Sequence, residues 1–148
     1  MCCKKLIEEL KAENKKECFE NKLTAEENGR KFTIKLPKKS QEKFCRIKVD
    51  GCFVNDKNVE KCDFAFHRCS NDDRYFVELK GIKIKKGFNQ IVRTITTHLP
   101  SPKEKNYGFI VASRVPKSGV DINKLKIEFR KKYGMALKVQ SRQIIHQV

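Results

Sequence analysis

With 148 residues, the chain has room for one domain, 1–148, and its 34 Lys and Arg against 18 Asp and Glu give a net charge of +16. Hydrophobic residues make up 39% and include ten Phe, enough apolar surface for a packed core, so a disordered polar chain is excluded. No run of about 18 apolar residues occurs, which excludes a spanning helix, and the positive field favours a polyanionic partner, nucleic acid before an anionic membrane surface.

Charges occupy the first ten residues where a secretory signal would have its apolar core, so the expected location is cytoplasmic. The seven cysteines are odd in number and contain no C-x-x-C pair. That pattern predicts mostly reduced thiols, several buried, and neither a zinc knuckle nor a secreted disulfide framework.

In chain order, Leu6, Ile7 and Leu10 form the apolar stripe of a helix over residues 3–17. A polar stretch ends at the turn dipeptide Asn28-Gly29, and residues 31–36 alternate as a strand until Pro37. After a basic loop, 44–49 alternate again and stop at Asp50-Gly51, whose aspartate is expected to cap its own turn. Two runs rich in aromatic residues, 60–69 and 74–80, flank the polar cluster Ser70 to Asp73 and read as a β-hairpin, giving a three-stranded antiparallel meander.

Beyond Gly81, Ile84, Phe88, Ile91, Val92, Ile95 and Leu99 recur at helical spacing up to Pro100, with a polar row of Gln90, Thr94 and Thr97 beside them. The apolar run 107–113 predicts a buried parallel strand and so a right-handed β–α–β unit. Asp121 is the predicted N-cap of a helix over 122–133 ended by Gly134, a short strand follows at 136–139, and residues 143–148 receive no assignment.

The hairpin gathers the chemistry. Glu78 and Lys80 share one face of their strand, and a turn around Asn71 and Asp72 puts Asp63 opposite Lys80 and diagonal to Glu78. Two carboxylates so placed repel unless a cation lies between them, and Mg²⁺ or Mn²⁺ is the hard ion such oxygens hold. His67 falls on the same face as Asp63.

Asp63, then Glu78-Leu79-Lys80 after a hairpin, then a helix bearing Gln90, resembles the PD-(D/E)XK nuclease superfamily, although Cys62 stands where the motif has its proline. The resemblance implies a restriction-endonuclease-like fold: an α/β core whose central mixed β-sheet, an antiparallel meander plus a parallel strand, has helices on both faces. It also implies a Mg²⁺- or Mn²⁺-dependent endonuclease hydrolysing phosphodiester bonds in DNA, often as a homodimer. Asp63 and Glu78 would be metal ligands and Lys80 would act on water and phosphate. Gln90 would support the cleft, while Glu9 and His67 would be accessory residues. Lys83, Lys85 and Lys86, just past the motif, are expected to hold the phosphate backbone. The alternatives are a catalytically inactive nucleic-acid-binding or adaptor protein on the same fold, or an RNA-directed nuclease.

Overall fold

The computed structural model describes residues 2–79, 81, 83–100, 105–115 and 121–148. It is an α/β structure in three layers. A six-stranded mixed sheet lies in the middle, built from β1 (Phe19–Glu20), β4 (Phe44–Lys48), β5 (Phe64–Arg68), β6 (Arg74–Glu78), β7 (Asn106–Ala112) and β8 (Ala136–Ser141) in the order β1-β4-β5-β6-β7-β8. The β1 to β6 neighbours pair antiparallel, whereas β6, β7 and β8 run parallel, joined through α2 (Ile84–Arg93) and α3 (Ile122–Tyr133). Strands with apolar residues at nearly every position need cover on both faces, and β6 is buried throughout.

The two faces are covered differently. Ala65, Phe76, Ile110 and Leu137 pack under α2, α3 and α1 (Cys2–Glu9), which contribute Phe88, Phe129 and Leu6. Phe64, Phe66, Val77 and Phe109 turn the other way, against Phe32 and Ile34 of β3 (Arg30–Lys35) and Ile144 of β9 (Gln143–Gln147). With β2 (Thr24–Glu27), these strands form a second sheet in the order β2-β3-β9. The expected helices on both faces are therefore corrected: all three described α-helices lie on one face, and the small sheet takes the other. Asn28 and Gly29, both at positive φ (49° and 77°), close the β2–β3 hairpin. The tail left unassigned in sequence is β9, paired parallel to β3.

The N-terminal segment also departs from expectation. The helix ends at Glu9, where Lys11 adopts φ 51° and its N–H bonds the Glu8 carbonyl while Ala12 N–H reaches Ile7, an αL helix stop. A 3₁₀ segment, Glu13–Cys18, follows. Six of the seven cysteines are joined as Cys2–Cys69, Cys3–Cys45 and Cys18–Cys52, which corrects the expectation of reduced thiols. Each bridge ties the first 18 residues to the strand region at 45–69. Cys62 is free and buried. No helix among the described residues is long and apolar enough to cross a membrane.

Candidate metal and nucleic-acid site

Asp63 and Glu78 do share a face, in a register that differs from expectation. The β5–β6 ladder pairs Phe64 with Val77 and His67 with Arg74, so the next pair outward is Asp63 with Glu78, not Asp63 with Lys80. The turn centres one residue earlier than expected because Asn71 accepts the Asp73 N–H at 3.0 Å and Asp72 takes φ 63°. A two-residue change of partner keeps every side chain on its face, and directly opposed Cα atoms in such a pair lie about 5 Å apart. Asp63 Oδ2 accepts the Leu79 N–H at 2.7 Å, replacing the next main-chain rung. The Asp63 carbonyl accepts from Val49 at 3.0 Å and Asp50 at 3.3 Å, fixing the same residue to the end of β4. Both carboxylates are buried, Glu78 at 0% and Asp63 at 2% exposure. Lys80 lies outside the described residues.

Helix α2 covers the pair. A Cβ at Gly87 would sit 3.3 Å from Glu78 Cγ and 3.5 Å from Ile110, so an alanine there would fit only if the Glu78 side chain gave way by a few tenths of an ångström. A glycine inside a helix costs about 1 kcal/mol against alanine, and close backbone approach is the usual reason for keeping one. Two turns further, Thr94 is wholly buried, and its hydroxyl accepts the Cys62 N–H at 2.8 Å while donating to the Gln90 carbonyl at 2.8 Å. Cys62 stands where the motif has proline, and proline could not make that bond. Burial pushes the Cys62 thiol well up, and the negative charges of Glu78 and Asp63 add to the shift, so it stays protonated and offers no thiolate.

The remaining predicted residues divide between this centre and other regions. The Gln90 side chain is half-buried on α2, and Lys83, Lys85 and Lys86 are exposed at its start. Asp50 forms an ion pair with Lys61 at 3.6 Å. His67 is on the face of Asp63 but four residues away, about 13 Å along a strand, and it belongs to a different cavity. That cavity, of about 330 Å³, brings His67 together with Glu9, Lys5, Lys43 and Asp72. Arg74 Nε donates to His67 Nδ1 at 3.2 Å, which leaves the ring proton on Nε2, 2.9 Å from Asp72 Oδ1. Burial, and then the Arg74 charge, lower the His67 pKa. Glu9 and His67 thus meet each other and not the two carboxylates.

Arg30 is the residue that sequence reasoning passed over. Its Nε donates to the Leu79 carbonyl and its Nη1 to Ser113 Oγ at 2.6 Å, placing a guanidinium at the carboxyl ends of β6 and β7. No local pattern could reveal this, since Arg30 sits 49 residues from Leu79 and arrives through the second sheet. Glu17, Cys18 and Cys52 cluster as three ligand-type side chains among the described residues, but the two sulfurs are bonded to each other and hold no metal as thiolates. No protein-family model, no curated protein and no solved structure matches this chain.

Proposed function

We propose that the chain is a nuclease of the PD-(D/E)XK type, hydrolysing phosphodiester bonds in DNA with a divalent ion, Mg²⁺ or Mn²⁺, bound by Asp63 and Glu78. The observation that carries this reading is the antiparallel register that sets these carboxylates opposite each other at the carboxyl end of β6. The donor set fits: two hard carboxylates suit an oxygen-seeking ion. Bound there, the ion would supply an activated water and offset charge on the phosphoryl oxygens.

The chain's own groups would do the rest. Asp63 is oriented by the Leu79 amide and Glu78 by its packing beneath α2. Lys80, two residues on in sequence, would stabilise the developing charge, and Gln90 would hydrogen-bond water or phosphate at the edge of α2. Lys83, Lys85 and Lys86 would grip the backbone. The three disulfides favour an oxidising environment over the expected cytoplasm.

A second reading, a non-catalytic nucleic-acid-binding or adaptor protein on the same fold, is favoured by the burial of both carboxylates, since an ion and its phosphate need a way in. Plasmid nicking with Mg²⁺ separates the two. A nuclease nicks DNA with Mg²⁺, stops with chelator, and loses activity in Glu78→Gln while that variant still binds. Equal activity in Glu78→Gln, or none from either protein, supports the binder, and turnover of RNA alone would reassign the substrate.

A further inference from the structure

We infer that the outer face of α2 and α3 is a docking surface for the phosphate backbone of double-stranded DNA, extending onto α3 the grip begun by Lys83, Lys85 and Lys86. This rests on the proposed function only for the choice of DNA as the polyanion, and it needs no cleavage.

The charge of the chain is unevenly distributed. Beyond Leu79 there are 16 Lys and Arg against three Asp and Glu, a net +13 of the total +16. The residues up to Leu79 hold 18 cations against 15 acids, a net +3. The basic half is the parallel β–α–β–α–β part of the sheet, whose two successive crossovers of one hand lie on the same side. Phe88 of α2 meets Phe129 of α3 with ring centroids 4.7 Å apart, so the inner faces pack together and the outer faces adjoin.

That outer face carries Lys85, Lys86 and Arg93 from α2 and Lys124, Lys126, Arg130 and Lys131 from α3, all exposed. Helix α2 contains no acid, and the single acid within α3, Glu128, is already taken by Lys132 at 3.0 Å. Lys132 lowers the Glu128 pKa first, and Lys85 and Lys124 add to it, which places cations from both helices around one carboxylate.

Ordinary helix energetics account for only part of this pattern. Arg130, Lys131 and Lys132 in the last turn of α3 suit its negative end. Lys85 and Lys86 do the opposite, since they sit in the first turn of α2, which holds no acid and has no side-chain cap, where the macrodipole repels cations. That placement costs helix stability and is repaid by a bound anion. Helices of 10 and 12 residues run about 15 and 18 Å, which spans about five phosphates of one DNA strand measured along the duplex axis.

The test is binding of a short fluorescent duplex to the full chain, in chelator, across a series of salt concentrations. Removing four charges from α3 (Lys124→Gln, Lys126→Gln, Arg130→Gln and Lys131→Gln together) is expected to weaken binding tenfold or more at low salt. It should also flatten the plot of log affinity against log salt by about 0.9 for each phosphate that is no longer neutralised. A control removes four exposed cations from the other half (Lys4→Gln, Lys16→Gln, Lys35→Gln and Lys57→Gln) and should leave the slope nearly unchanged. Equal flattening by both sets would mean that net charge alone binds DNA and overturns the surface. Loss of binding to phosphatidylserine vesicles by the α3 variant, with its duplex binding intact, would reassign the face to a membrane and also overturn it. Because binding is read in chelator, where nothing is cleaved, loss of the α3 effect overturns this surface alone and absence of Mg²⁺-dependent nicking overturns the nuclease reading alone.

Discussion

Thr94 makes two buried hydrogen bonds through one hydroxyl, and the loop that delivers Asp63 depends on it. Thr94→Val keeps the shape but strands the Cys62 N–H, which costs about 1–3 kcal/mol for a buried unsatisfied donor. Urea unfolding should report that loss, and Thr94→Ser should recover most of it; equal stability for Val and Thr would remove the bond from the account. Gly87 is the counterpart on the helix. Gly87→Val pushes methyl groups into Glu78 and Ile110 and should cost about 1–3 kcal/mol of overpacking despite the better helix propensity. His67 fixes a pH dependence. Its folded pKa lies below the unfolded value of about 6.5, so the unfolded chain takes up a proton that the folded chain refuses. Stability therefore falls as pH drops from about 6.5 towards the depressed value and levels off below it. His146, also lowered by burial, adds in the same direction. In thermal melts from about pH 7.5 to about pH 5, a window that brackets the histidine range, His67→Gln should flatten this slope, and an unchanged slope would exclude His67 as its source.

At the scale of elements, the N-terminal segment has the least to hold it. Helix α1 has eight residues, too few to persist alone, and the three bridges supply what its length does not. They close spans of 67, 42 and 34 residues, each worth about 4 kcal/mol in the chain-entropy model. Reduction with dithiothreitol should lower the melting temperature and release residues 2–18 to proteolysis before β4 to β7 open; coincident release of all segments would show one cooperative unit.

The elements visible in sequence are those built from local contacts: the β4–β5–β6 meander, α2, β7 and α3 capped by Asp121, which accepts the Lys124 N–H at 3.0 Å. The missed ones depend on distant partners. Strand β9 pairs with β3 across more than 100 residues, and nothing in Gln143–Gln147 shows which strand will accept it. The sulfur pairs are equally remote, with spacings that match no motif. Of the candidate site, the face of Asp63 and Glu78 was legible from side-chain alternation, because parity survives a two-residue error. The partner of Asp63 was not, because it depends on one Asx turn.

Across the whole molecule, charge and chemistry divide the sheet. The antiparallel half, clamped by the disulfides, is nearly neutral and delivers Asp63; the parallel half carries the positive field and positions α2 over Glu78. The border between them is β6, where the strand direction changes from antiparallel to parallel pairing and where Arg30 and Ser113 meet at the carboxyl end. Ligands of α/β sheets gather at such ends. The most direct test is calorimetric titration of Mn²⁺ into the wild-type chain, Asp63→Asn and Glu78→Gln, each checked for its fold by circular dichroism. One saturable site in the wild type, lost in both variants, is the expected result. No binding by the wild type, or undiminished binding by two folded variants, would contradict a metal centre at Asp63 and Glu78.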